Sequence, residues 1–126
     1  MRILVCDDHD MIRAMIARML RDDGHEVTEA AAAAEALEVL GATPCDAIVL
    51  DLHLGGESGL AVADGVRADP ARARTPIVLL SGDFDPADVD AAAARYGVEA
   101  VLPKPFEPER LAATLRRLVP GGGRGE

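Results

Sequence analysis

The sequence has no tryptophan, and its aromatic residues amount to 2% of the 126. That scarcity excludes binding of single-stranded nucleic acid by base stacking, which needs ring platforms. Positive charge is also short: 13 Lys and Arg stand against 22 Asp and Glu, a net charge of −9. A surface of that sign repels a phosphate backbone, so direct contact with nucleic acid is not expected. Cysteine appears only as Cys6 and Cys45, too few for a disulfide framework. No apolar run approaches the roughly 20 residues that span a bilayer. Strand-like residues begin at Arg2, so no leader is expected. These absences point to a cytoplasmic location with no membrane partner. What remains is a chain of one-domain length, 49% apolar, which is enough to build a core.

Strand and helix patterns alternate along it. The run RILVC (2–6) is a short apolar strand. In the stretch that follows, Ile12, Met15, Ile16, Met19 and Leu20 share one helical face, with Asp10 as N-cap and Gly24 as the stop. A weaker strand spans 26–30, an alanine-rich helix 32–41, and a buried strand DAIVLD 46–51. A helix is expected over 58–67, although Gly59 and Gly65 weaken it. The run TPIVLLS (75–81) is the clearest strand. Asp85 then caps a helix that has Pro86 at its first position, reaches Tyr96 and stops at Gly97. A last strand covers 98–102 and a last helix 108–119.

Five strands alternating with five helices predict an α/β fold, a parallel sheet covered on both faces with right-handed crossovers. The domain is placed at 1–119, and 120–126 (PGGGRGE) reads as a flexible tail or the start of a linker. Cys6 ends the first strand and Cys45 precedes the third. In parallel neighbours they fall at opposite edges, about four to five residues apart at ~3.3 Å each, so no disulfide is expected. Pro103 lacks a backbone donor, which suits an edge strand.

The opening stretch LVCDDHD sets two adjacent carboxylates, Asp7 and Asp8, directly after an apolar strand. At 4 Å two unit charges repel by about 4 kcal/mol at an effective dielectric of 20, so the pair needs a compensating cation. In a parallel sheet all the C-terminal strand ends lie along one edge, where ligands bind. Asp7, Asp8, Asp51 and Ser81 fall on that edge, with Lys104 just beyond the last strand. Oxygen-only ligands at this density suit a hard cation such as Mg²⁺, or Mn²⁺. Lys104 supplies a compact second charge, Ser81 a hydroxyl, and Asp51 a carboxylate free to attack phosphorus.

With those residues in place, the chain resembles a response-regulator receiver domain, similar to the single-domain chemotaxis-type regulators. The resemblance rests on DD after the first strand, VLDLHL around Asp51, LLSG at Ser81 and KPF at Lys104, and it covers roughly residues 2–119. It implies a flavodoxin-like receiver fold with strand order 2-1-3-4-5 and a cis Lys104–Pro105 bond. It implies that Asp51 accepts a phosphoryl group from a sensor histidine kinase or a histidine phosphotransfer protein. Asp8 would bind the metal directly, Asp7 through water, and His53 through its backbone carbonyl. Ser81 and Lys104 would hold the phosphoryl oxygens. His53 and Asp83 would line the approach of hydrolytic water. A downstream protein, or a second copy of the chain, would read the face formed by helix 4, strand 5 and helix 5.

Two departures from the family pattern stand out. The usual aromatic three residues before the lysine is Val101, so an aromatic switch at that site is impossible. After the acceptor the usual Met-Pro is Leu54-Gly55, which predicts a looser loop. Two other readings compete. A phosphatase of the haloacid-dehalogenase type also uses an aspartyl phosphate and Mg²⁺, but it needs an acid where this chain has His53. A phosphorylation-independent interaction module would leave the acidic pair, Asp51 and Lys104 without a purpose. As a receiver the chain is expected to carry no turnover of a free substrate.

Overall fold

The computed structural model describes residues 1–82 and 86–119, without the side chains at 86, 88, 89 and 92. Asp83, the expected cap Asp85 and the expected tail at 120–126 lie outside the described residues. The main sheet consists of β1 (Arg2–Cys6), β2 (Glu26–Ala30), β3 (Ala47–Asp51), β4 (Ile77–Ser81) and β5 (Ala100–Pro103). All its pairings are parallel, in the order β2-β1-β3-β4-β5, as expected. The crossovers are α1 (Asp10–Asp22), α2 (Ala33–Ala42), α3 (Leu60–Ala68) and α4 (Pro86–Tyr96), and α5 (Pro108–Leu118) follows β5.

Period-two alternation along the strands builds two cores. Leu4, Cys6, Ile48, Leu50, Ile77 and Leu79 face one side, with Ala36 and Leu40 of α2 and Val62, Ala63 and Val66 of α3. Ile3, Val5, Val49, Val78 and Leu80 face the other, with Ile16 and Leu20 of α1 and Leu111 and Leu115 of α5. A strand buried on both faces cannot alternate with polar residues, which is why β3 and β4 read as continuous apolar runs.

Several local expectations change. The N-cap of α1 is His9, whose Nδ1 accepts the Ile12 N–H at 3.4 Å, and Asp10 is the first helical residue. Asp10 instead pairs with Arg13 at 2.7 Å. Met15 is 51% exposed, because the buried stripe of α1 centres on Ile16, Ala17 and Leu20. Between β3 and α3, His53–Leu54 and Glu57–Ser58 pair antiparallel as a small hairpin that the sequence reading did not separate from a loop. Gly55 turns it at φ +64°, a conformation that disfavours any side chain. β5 begins at Ala100 rather than 98, and Val98 is buried ahead of it. Cys6 and Cys45 are both free. Burial and nearby carboxylates push the Cys6 thiol up to about 12, which makes it a small apolar residue rather than a nucleophile. Pro103 lies on the edge strand, and the Lys104–Pro105 bond is cis.

Candidate functional site

β1, β3 and β4 all terminate at one edge of the sheet, and the polar residues that follow them meet there. The register sets Cys6 beside Leu50, so Asp7 leaves β1 at the height where Asp51 ends β3. Asp51 pairs with Leu80, and Ser81 pairs with Pro103. Carboxylate oxygens of Asp7, Asp8 and Asp51 all lie within 4.8 Å of one another. Asp7 and Asp51 are buried at 0% and 4% exposure, whereas Asp8 is exposed. Lys104, 97 residues beyond Asp7 in the chain, places Nζ 3.0 Å from Asp7 Oδ2 and 2.9 Å from Asp51 Oδ2. Its backbone N–H donates to the Ser81 carbonyl at 2.8 Å, which fixes the root of that side chain to the end of β4.

The other oxygens of Asp7 and Asp51 are held by the turns. Asp7 Oδ1 accepts the His9 N–H at 2.8 Å, and Asp51 Oδ1 accepts the His53 N–H at 3.1 Å. Burial pushes the Asp51 carboxyl above its ordinary value. The Lys104 ammonium and the His53 N–H oppose that shift, and the Asp7 charge adds to it. Burial works against the Lys104 ammonium, but its bonds to Asp51 and Asp7 prevail and hold its pKa above that of an ordinary lysine. A cleft of about 260 Å³ opens over the cluster, lined by Asp8, His9, Ile12, Asp51, His53, Gly55, Gly82 and Lys104.

The donor set fits a hard divalent cation. It is all carboxylate oxygen, it has one exposed member at the mouth, and a single lysine leaves the local charge negative. The structure thus brings together Asp7, Asp8, Asp51, His53 and Lys104. Ser81 is fully buried at the end of β4, on the same edge.

Two residues that the sequence reading passed over also touch this region. Arg13 of α1 donates from Nη1 to the Asp7 carbonyl at 2.8 Å. Gly59, read only as a helix-weakener, donates its N–H to the Leu52 carbonyl at 2.6 Å, and a Cβ there would lie 2.0 Å from the Asp51 carbonyl oxygen. Neither carries a sequence signal beyond residue type, because both contacts are to backbone.

Comparison with known proteins agrees with this geometry. Residues 3–116 match the family model described as the response regulator receiver domain. The sensory/regulatory protein RpfC of Xanthomonas campestris pv. campestris is 35% identical over 121 residues, 94% of this chain but 16% of that protein. The phosphate regulon transcriptional regulatory protein PhoB of Pseudomonas aeruginosa is 35% identical over 123 residues, 94% of this chain and 53% of PhoB. The chain therefore spans about half or less of these curated relatives. Among solved structures, the chemotaxis protein CheY4 of Vibrio cholerae superposes with a TM-score of 0.87 at 32% identity, covering 93% of this chain and 97% of that one. With a match over nearly its whole length and with Asp7, Asp8, Asp51 and Lys104 gathered on one sheet edge, this chain belongs to the response regulator receiver domain family of two-component signalling.

Proposed function

We propose that the chain is a phosphoacceptor module in which Asp51 takes a phosphoryl group from a phosphohistidine on a sensor histidine kinase or histidine phosphotransfer protein. The observation that carries this reading is the Lys104 ammonium bridging Asp7 and Asp51 beside a third carboxylate. An Asp51 oxygen attacks phosphorus, the N–P bond breaks, and the imidazole leaves with its electron pair and takes up a proton. Asp8 would hold Mg²⁺ or Mn²⁺ directly, Asp51 and the His53 carbonyl would share it, and Asp7 would act through water. The bound cation would neutralise charge on the transferring phosphoryl oxygens. Lys104 pairs with those oxygens, and Ser81 donates its hydroxyl to them. His53 and Asp83 would set the lifetime of the phosphorylated form.

The signal leaves through a shift in population at the face of α4, β5 and α5, where a downstream protein or a second copy binds. Val101, half-buried on β5, has no ring to rotate, so the shift must use backbone movement or other side chains. The domain is assigned to 1–119 and placed in the cytoplasm. No helix among the described residues is long and apolar enough to cross a membrane. The phosphatase and phosphorylation-independent readings gain no specific observation.

The test adds Mg²⁺ with acetyl phosphate, followed by intact mass, and beryllofluoride, followed by size-exclusion chromatography. The wild type should gain one phosphoryl mass and Asp51→Ala none. Phosphorylation of Asp51→Ala at the wild-type level would overturn the assignment. Steady turnover of phosphate monoesters would favour the phosphatase.

A further inference from the structure

Asp7 is held at every polar atom it has. Its N–H donates to the Ala30 carbonyl at 3.1 Å, Oδ1 takes the His9 N–H, and Oδ2 takes Lys104 Nζ. The fourth contact, from Arg13 to the Asp7 carbonyl, has no part in the reading above. Arg13 is not a loose surface residue: its side chain is 17% exposed. Its Nη2 donates to Asp10 Oδ1 at 2.7 Å, and its Nε lies 3.4 Å from Glu29 Oε1 on β2. One planar fork therefore joins the end of β1, the first turn of α1 and β2.

The Asp7 carbonyl belongs to the peptide plane that carries Asp8 N and Cα, so fixing that oxygen fixes the direction in which Asp8 leaves the strand. Among the described residues nothing hydrogen-bonds the Asp8 carboxylate itself. Among those residues its aim is set through its backbone.

We propose that Arg13 is a positioning residue for the divalent cation: by clamping the Asp7–Asp8 peptide it presents the Asp8 carboxylate to the site. This rests on the phosphoacceptor reading of the acid cluster. Orienting partners of metal ligands typically change affinity by about 10–100-fold when lost. The charge of Arg13 acts in the opposite direction, because a guanidinium repels a dication. The two accounts therefore differ in sign.

The test is Mg²⁺ titration of the whole chain, read by thermal shift and by fluorescence of its single tyrosine, with metal-free melting as the check on folding. Arg13→Gln should weaken Mg²⁺ binding by about tenfold or more, although it removes a repulsive charge. Arg13→Lys should weaken it nearly as much, since a point charge cannot span Asp7, Asp10 and Glu29 together. Phosphorylation by acetyl phosphate at saturating Mg²⁺ should stay within about threefold of wild type, which separates positioning from chemistry. Should Arg13→Gln fail to fold, Arg13→Lys and Glu29→Gln carry the test, the latter with a severalfold loss. Mg²⁺ affinity equal to or above wild type in the folded variants overturns the proposal. A wild type that neither binds Mg²⁺ nor accepts phosphate would instead overturn the phosphoacceptor reading.

Discussion

A methyl group at Gly59 would meet the backbone of Asp51, 2.0 Å from its carbonyl oxygen and 3.0 Å from its carbonyl carbon. The contact is backbone on both sides, so a larger residue can be accommodated only by moving the segment that carries Asp51. Gly59→Ala is expected to destabilise the fold by about 1–3 kcal/mol, the usual range for overpacking. It should also slow phosphorylation of Asp51 by acetyl phosphate at least tenfold. Gly65→Ala is the matched comparison on the same helix: its Cβ would meet Leu37 Cδ2 at 2.6 Å, the far end of a flexible, exposed side chain. Acceptor activity in Gly65→Ala should stay within about twofold of wild type. Equal losses in the two variants would mean that α3 packing in general, not the Gly59 contact, sets the position of Asp51. At this scale the sequence was legible where charge was involved. Asp7, Asp8, Asp51 and Lys104 are groups that burial makes costly without partners, so their presence at strand ends carried information. Gly59 and Arg13 were not legible, because their partners are peptide groups that every residue possesses.

Elements are joined by such peptide contacts as well. Arg67, near the end of α3, donates Nε to the Tyr96 carbonyl at 2.7 Å. Its Nη1 serves the carbonyls of Ala73 and Thr75, and its Nη2 serves the Gly97 carbonyl and Glu99 Oε1. Glu99 Oε1 also accepts the Ile77 N–H at 2.8 Å, so one guanidinium secures the C-terminal ends of α3 and α4 and the starts of β4 and β5. Lysine has three donors on a point charge and cannot reproduce this fork. Arg67→Lys should therefore cost about 2–3 kcal/mol, since several half-buried carbonyls lose partners together. The measurement is the urea midpoint at unchanged slope. An unchanged midpoint would show that water replaces the guanidinium at no cost. The elements themselves were readable because β3 and β4 are apolar up to their last residue and α1 and α5 are amphipathic. The cap of α1 was not, because Asp10 is the stronger capping residue type, yet it stands inside the helix paired with Arg13 while His9 takes the cap. The hairpin at 53–58 was missed because two-residue strands lie below any periodicity.

For the molecule as a whole, ionising Asp51 works against stability. Burial and the Asp7 charge raise the Asp51 carboxyl above its unfolded value despite Lys104. The sign follows by linkage. An acid with a raised native pKa binds more protons folded than unfolded, so stability is greatest at low pH and falls as pH rises through the native pKa. At neutral pH, without metal, the ionised Asp51 is a net cost. Asp51→Asn should accordingly melt a few degrees higher at pH 7, about 4 °C for each kcal/mol in a domain of this size, and the gain should shrink towards pH 4. Mg²⁺ at a hundredfold excess over its Kd should stabilise the wild type by about 2.7 kcal/mol and Asp51→Asn far less. Thermal melts across pH 4–7.5, with and without Mg²⁺, check both. A variant less stable than wild type at pH 7 would show that the Lys104 ion pair outweighs desolvation.

By itself the sequence determined the alternation of buried strands and helices, hence the parallel layered fold. It also determined which ionisable residues stand at the strand ends, because apolar periodicity and the cost of burying charge act locally along the chain. Only the tertiary structure decided which oxygen meets Lys104, that Met15 faces solvent while Ile16 does not, and that Arg13 and Gly59 grip the backbone of the acid residues. Those outcomes depend on how far neighbouring elements rotate and approach as their apolar faces close. Sequence spacing carries no measure of such distances.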